Sequence, residues 1–153
     1  MEYKIVKTAE LKAPLKRVWK ALIDHQEFGE WFRVDIEKPF QAGQTAKGKL
    51  TYPGYEHLKW EVQVKEIQEE KLFSFTWHPY AIDANVDYSN EEPTLVAFTL
   101  KEIENGTLLT VTESGFEKVP EQRREEAYRM NSGGWAEQMK NIETHVVESA
   151  RQL

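Results

Sequence analysis

The sequence predicts an α+β fold in which a curved antiparallel β-sheet of about six to seven strands wraps around a long C-terminal helix. Runs of alternating apolar and polar residues, typical of half-buried strands, recur between residues 43 and 116. One apolar stripe at helical spacing then continues to the end of the chain, through Trp135, Met139, Ile142, Val146, Ala150 and Leu153. A lone amphipathic helix must bury its stripe against a sheet, and a strongly twisted sheet curls, so the sheet is expected to enclose the helix.

The N-terminal part of the chain predicts one strand followed by two short helices. Residues 3 to 12 favour a strand and end at Ala13-Pro14, where the fixed φ of proline suits the first turn of a helix. Residues 15 to 23 place their large apolar side chains on one helical face. Residues 26 to 31 can add a second short helix before the main sheet begins.

The middle of the chain predicts successive antiparallel strands. Residues 43 to 52 indicate one half-buried strand, and the clearest alternation follows over residues 58 to 64. Residues 73 to 77 repeat that alternation after a short charged turn, so the two runs are expected to form a hairpin. Residues 79 to 93 are polar and poor in apolar side chains, which predicts a loop at the rim of the sheet.

A second hairpin is predicted around Asn105-Gly106. Residues 95 to 103 and 107 to 116 flank Glu104-Asn105-Gly106, and Asn-Gly is the preferred centre of a type I′ turn because both residues accept positive φ. After Val119-Pro120 the composition becomes helical. Gly133-Gly134 interrupts this helical stretch at a cost of about 1 kcal/mol per glycine relative to alanine, which predicts a kink or close packing there.

Length and composition limit the possible classes of protein. The 153 residues match the size of one domain, taken as residues 1–153, and leave no room for a second domain. No apolar run approaches the ~18 residues that a bilayer requires, and the N-terminus lacks the apolar core of a secretory signal, so we expect a cytoplasmic protein without membrane insertion. A net charge of -6 with scattered basic residues makes nucleic acid an unexpected partner.

Cofactor and metal chemistry find little support in the sequence. The chain has no cysteine, which excludes disulfides, thiolate nucleophiles and iron–sulfur ligation. No nucleotide-binding glycine motif is present, so no cofactor is expected. His25, His57, His78 and His145 lack the short spacing of metal ligands, and the acidic residues of the 79–93 loop do not match a calcium-binding loop, so no metal site is expected.

Several stretches together resemble the START-like, or SRPBCC, superfamily with its helix-grip fold. Within it the chain is most similar to the C-terminal-domain type of the activator of the ninety-kilodalton heat-shock chaperone's ATPase. This resemblance covers essentially the whole chain and implies the fold, but proteins of one superfamily differ in function: its members include lipid carriers, hormone receptors, cyclases and parts of co-chaperones. The matching stretches are Ala13-Pro14, Val18 to Leu22, Trp31-Phe32, Thr94 to Phe98, Gly106 to Val111, Glu113 to Phe116 and Gly133 to Trp135.

A ligand cavity is predicted between the sheet and the C-terminal helix. Aromatic side chains on both sides could stack on a planar ligand or could simply form core, and the double glycine would leave space below the helix. Met139 could adapt its shape to a guest. The predicted cavity residues are Trp31, Phe32, Trp60, Phe75, Trp77, Phe98, Glu113, Met130, Gly134, Trp135, Gln138 and Met139.

Two residues are candidate proton carriers. Glu113 alternates with Leu109 and Val111 and should therefore point inward, where it could act as an acid or base or anchor a ligand; a bulge at Gly115 would instead turn it to solvent. His78 ends a strand and could reach the cavity mouth, or it could be solvated.

These features lead to three functional hypotheses. The first is noncatalytic binding of a small hydrophobic or aromatic molecule in the predicted cavity. The second, implied by the resemblance, is stimulation of a chaperone ATPase, although the 153 residues have no room for the separate N-terminal binding domain of that family's full-length members. The third is an enzyme similar to a polyketide cyclase or hydrolase, with His78 or Glu113 as the proton carrier.

Overall fold

The computed structural model describes residues 4–83 and 85–151, with side chains up to residue 147, so the predicted stripe positions Ala150 and Leu153 lie outside the described side chains. Over these residues the chain forms seven strands and three α-helices. The elements in order are β1 (Ile5–Leu11), α1 (Leu15–Ile23), α2 (His25–Phe32), β2 (Val34–Ile36), β3 (Thr45–Leu50), β4 (Lys59–Gln68), β5 (Leu72–Trp77), β6 (Thr94–Ile103), β7 (Gly106–Ser114), a 3-10 helix (Phe116–Lys118) and α3 (Glu121–Arg151).

The strands form one antiparallel sheet in the order β1-β7-β6-β5-β4-β3-β2. Successive strands from β2 to β7 pair as neighbours, and β1 pairs with the last strand, β7, so the N-terminal strand forms one edge. Helix α3 packs against β1, α1 and α2. The predicted α+β architecture, a curved antiparallel sheet around a long C-terminal helix with two short helices after the first strand, is confirmed.

Aromatic side chains fill the interior between α2 and the middle of the sheet. Phe28 is fully buried at their centre and lies 4.7 Å from Trp31, 5.1 Å from Phe32 and 5.4 Å from Phe40, measured between ring centroids. Most of these contacts are edge-to-face, the arrangement that the quadrupoles of aromatic rings favour. This part of the interior is therefore packed by the protein's own rings.

The turn between β6 and β7 differs from the prediction. Ile103 pairs with Gly106, so the two-residue loop is Glu104-Asn105, and of these two only Asn105 has a positive φ, at 67°. The prediction of a type I′ turn centred on Asn105-Gly106 is therefore wrong. Gly106 is needed for another reason: a Cβ atom at this position would collide with the carbonyl oxygen of Leu11, where β1 ends.

Helix α3 continues through the double glycine. It runs from Glu121 to Arg151 without a break, and a Cβ atom built on Gly133 or Gly134 would meet no atom within 4 Å beyond the helix's own nearby backbone. The prediction of close packing at these glycines is therefore wrong. Open space lies beside them instead.

Candidate functional site: two cavities and a buried carboxylate

A cavity of about 170 Å³ lies beside α3 at the end of the aromatic core. Five of the predicted cavity residues form its wall together with Asn131, which the sequence analysis did not single out. Its lining residues are Phe32, Trp77, Asn131, Gly134, Trp135 and Gln138. We call this space the first cavity.

Spacing along α3 explains how one helix supplies four of these residues. Asn131, Gly134, Trp135 and Gln138 stand at positions i, i+3, i+4 and i+7, so they share one helical face. Trp135 is buried, whereas Gly134 leaves a gap in this face because it has no side chain. The sequence did contain a signal for Asn131. It is a polar residue four positions before Trp135, so it lies on the helical face that carries the apolar stripe.

Two stacked indole rings form the most apolar wall of the first cavity. Trp77, the last residue of β5, lies 5.7 Å from Trp135 between ring centroids, with an angle of 30° between the ring planes. Phe32, at the end of α2, contacts both rings edge-to-face, at 6.3 Å and 6.0 Å. Gln138 links α3 to the end of α2, since its Nε2 donates to the carbonyl oxygen of Phe32 at 3.0 Å.

A buried carboxylate lies directly behind this wall. Glu113 is fully buried, as strand alternation predicted, and its oxygens accept hydrogen bonds from four side chains. Trp77 Nε1 donates to Oε2 at 2.8 Å, Trp135 Nε1 donates to Oε1 at 2.8 Å, and Thr94 Oγ1 donates to Oε2 at 2.5 Å. Asn131 Nδ2 lies 3.0 Å from Oε1 and 3.2 Å from Oε2.

The sheet register explains why these partners meet. Trp77 pairs with Thr94 across β5 and β6, and Val96 pairs with Glu113 across β6 and β7, so three adjacent strands bring the three polar side chains together. A carboxylate offers about four lone-pair sites, and five donor contacts occupy them. Glu113 thus fixes the orientation of both indole rings.

A second cavity of about 280 Å³ adjoins the first, because Trp77 and Asn131 line both. Its other walls include Trp60 from β4, His78, and the loop residues Tyr80, Ile82 and Tyr88. His78 is one of the two predicted proton carriers, with Glu113. The ring Nε2 of His78 lies 2.8 Å from the carbonyl oxygen of Glu91, so this nitrogen is engaged with the loop.

Arg123 of α3 holds the loop that covers the second cavity. Its Nη1 donates to the carbonyl oxygen of Pro79 at 2.7 Å, and its Nε and Nη2 both donate to Glu91 Oε1, at 2.9 Å and 2.5 Å. The guanidinium also lies 4.8 Å from the ring centroid of Tyr88, a cation–π distance. The predicted rim loop is thereby attached to the helix.

The remaining predicted cavity residues lie elsewhere. Trp31, Phe75, Phe98 and Met139 are buried in the hydrophobic core. Met130 is 47% exposed and lies outside the residues that line the two cavities.

No group of three or more histidine, aspartate or glutamate side chains in residues 4–83 and 85–147 could hold a metal ion. Across the same part of the chain, every helix is too short or too polar to cross a bilayer.

The fold and the site together define a class of protein, the START-like domains, in which a helix-grip sheet holds a long C-terminal helix. The family described as Activator of Hsp90 ATPase homolog 1-like protein matches residues 12–147. This chain belongs to that family, as the resemblance in its sequence implied. Among curated proteins, no sequence matches this chain.

Solved structures share the fold at low sequence identity. Protein MLL2253 from Mesorhizobium loti is 24% identical with a TM-score of 0.74, and the match covers 95% of this chain and 97% of that chain. The Aha1 dimer from Colwellia psychrerythraea is 17% identical with a TM-score of 0.68 and coverages of 94% and 95%. DynU16, from the dynemicin biosynthetic locus, is 17% identical with a TM-score of 0.72 and coverages of 95% and 47%.

Proposed function

We propose that this protein binds a small, mostly apolar molecule without catalysing its conversion. The observation that carries the proposal is the gap at Gly134, which lies between Phe32, Trp77 and Trp135. Ligand sites are typically concave, aromatic-lined and provided with a few convergent polar groups. The first cavity has this composition, with Asn131 and Gln138 as the polar groups.

The size of the site restricts the ligand. Drug-sized ligands occupy cavities of about 300–1,000 Å³, whereas the two adjoining cavities measure about 170 Å³ and 280 Å³. A molecule of one or two fused rings fits this space better than a lipid chain. The stacked Trp77 and Trp135 favour a planar ring system, because aromatic pairs gain energy beyond their buried area.

Binding of 1-naphthalenemethanol, a neutral planar compound, tests this proposal. The chain has five tryptophans, so each indole N–H should give its own signal in an amide correlation spectrum. On titration we expect the indole signals of Trp77 and Trp135 to shift. Trp19 lines neither cavity and serves as an internal control.

Two leucine substitutions provide a matched pair for this experiment. Gly134→Leu places a side chain in the first cavity and should abolish the shifts. Gly133→Leu makes the same change one position earlier on α3, at a residue outside the cavity lining, and should leave binding intact. Unchanged spectra on titration of the wild-type protein, or equal binding by both variants, would contradict the proposal.

Stimulation of a chaperone ATPase is the second candidate function. The description of the family and the similarity to the Aha1 dimer favour it. The test is an ATPase assay of a ninety-kilodalton heat-shock chaperone with and without the purified chain. A rate that stays at the chaperone's basal value across a range of chain concentrations would remove this candidate.

Catalysis of the cyclase type ranks behind binding. DynU16 belongs to a biosynthetic locus, but both proposed proton carriers of this chain are already engaged. Glu113 accepts donors at both oxygens, and His78 Nε2 contacts the loop carbonyl of Glu91. A general acid or base needs hydrogen-bond access to the reacting atom of its substrate. The contacts of these residues favour a positioning role.

A further inference from the structure

We infer that the ligand of the first cavity carries a positive charge, and that Glu113 selects it. This inference rests on the proposed function and adds the chemical class of the ligand, a planar aromatic amine or another small organic cation. The observation is that a buried carboxylate lies behind the aromatic wall of the cavity. Within the described residues, every hydrogen bond to that carboxylate comes from an uncharged group.

A buried carboxylate without a cationic partner is unusual in a protein core. Removal of a charge from water costs several kcal/mol, and buried acidic residues are normally paired with a cation. The four neutral donors around Glu113 offset this cost and spread the charge, but they do not cancel it. A cation that enters the neighbouring cavity would provide the missing partner.

The two indole rings of the cavity wall extend the electrostatic effect of Glu113 to the ligand. Trp77 and Trp135 each direct the positive edge of the indole ring, at Nε1, to one oxygen of Glu113. Hydrogen bonds to an ionised acceptor polarise the donor, which increases the electron density on the ring faces. Tryptophan faces are the strongest cation–π partners among the side chains, so both rings become better surfaces for a cation.

No competing charge lines the first cavity. None of its six lining residues is ionisable, and Asn131, which touches Glu113, offers only amide groups. The ionisable residues Lys59, Glu61 and His78 line the second cavity instead. Arg123 is engaged by Glu91 and Pro79. The lining itself therefore carries no charge, and Glu113 lies directly behind it, hydrogen-bonded to Trp77 and Trp135.

A matched pair of probes tests the inference. At pH 7, 1-naphthylmethylamine is a cation and 1-naphthalenemethanol is neutral, with the same ring system and nearly the same shape. We expect the amine to bind about ten-fold more tightly, as a cation–π contact in a partly desolvated site implies. The preference should persist in added salt, because buried charges are screened much less than exposed ones.

Two variants assign the preference to Glu113. Glu113→Gln should lower the amine-to-alcohol ratio several-fold, because the indole faces remain but the carboxylate that polarises them is lost. An unchanged ratio would overturn the role of Glu113. Glu104→Gln removes one negative charge at the opposite end of β7 and should keep the full preference. If Glu113→Gln does not fold, the two probes on the wild-type protein still test the inference, because equal affinities would overturn it.

Each outcome separates the inference from the proposed function. Equal affinity of the wild-type protein for amine and alcohol overturns the inference and leaves the binding function standing. A preference that disappears in salt, or that Glu104→Gln also removes, reflects the net charge of the protein and overturns it too. Binding of neither probe overturns both.

Discussion

At the scale of single residues, Glu113 determines the geometry of the site. Both indole rings, one hydroxyl and one amide point their donors at its carboxylate, and these groups come from β5, β6 and α3. A partly satisfied buried network is less stable than an apolar core, so the complete set of donors matters. Loss of any one donor is expected to be costly.

Thr94→Val tests the hydrogen-bond network at Glu113. Valine keeps the shape of the fully buried Thr94 but removes the hydroxyl that donates to Oε2. We expect the free energy of unfolding to fall by about 2 kcal/mol, since hydrogen bonds to charged groups contribute about 1.5–3 kcal/mol. Urea denaturation measures this change. Thr94→Ser retains the hydroxyl as a control, and equal stability of the serine and valine variants would show that the hydroxyl is not needed.

At the scale of elements, α3 carries its binding face on a regular helix. Gly133 and Gly134 lie in the helix interior without close neighbours, so neither glycine is required by packing. Glycine at such positions weakens a helix. At Gly134 the missing side chain keeps the first cavity open.

Alanine at either glycine should therefore stabilise the protein. We expect Gly133→Ala and Gly134→Ala each to raise the free energy of unfolding by about 0.8–1 kcal/mol, the difference in helix propensity. Thermal or urea unfolding measures both variants. A decrease for either one would show that its missing side chain is needed for close packing, contrary to the open surroundings in the structure.

In the β6–β7 hairpin, by contrast, one glycine is required by close packing. Gly106 faces the carbonyl oxygen of Leu11, so Gly106→Ala must displace the end of β1. Overpacking of this kind costs about 1–3 kcal/mol. The measurement is the urea midpoint, with Asn105→Gly as the control, because Asn105 already has positive φ and glycine adopts it without strain. Wild-type stability of Gly106→Ala would contradict the predicted collision.

At the scale of the whole molecule, one carboxylate connects the three helices. Glu27 of α2 accepts from Arg17 of α1 at 2.7 Å and contacts His145 of α3 at 2.9 Å. Burial of the Glu27 carboxyl raises its pKa, but the hydrogen bonds and charges of His145 and Arg17 outweigh burial. They leave the pKa of Glu27 below its ordinary value of 4.5.

This lowered pKa predicts how stability depends on pH. A carboxyl whose pKa is lower in the folded than in the unfolded state contributes stability above its unfolded pKa and loses it as pH falls through the folded pKa. The contribution of Glu27 should therefore be complete above about pH 4.5 and decline below it. We expect Glu27→Gln to lower stability at neutral pH and to reduce the decline in acid, as measured by urea unfolding from pH 3 to 7. Parallel pH profiles for the two proteins would contradict this assignment.

The sequence by itself determined the order of the helices and of every strand except β2, and the helical face that holds Gly134, Trp135 and Gln138. Strand alternation favoured the inward direction of Glu113, and the unbroken register of β7 with its two neighbours decided it. Strand alternation and helical spacing are local properties, so a single sequence reveals them. The predicted type I′ turn failed because Gly106 belongs to β7, where it lies against the carbonyl oxygen of Leu11 at the end of β1. These two residues are far apart in sequence, so no local pattern reveals their contact.

Only the tertiary structure decided which groups meet at the site. Trp77, Thr94, Asn131 and Trp135 lie 36, 19, 18 and 22 residues from Glu113, and no local pattern specifies contacts over such separations. The register of three strands and the placement of α3 bring these groups together. A cavity is likewise the space that packed elements leave between them, which depends on the fold as a whole.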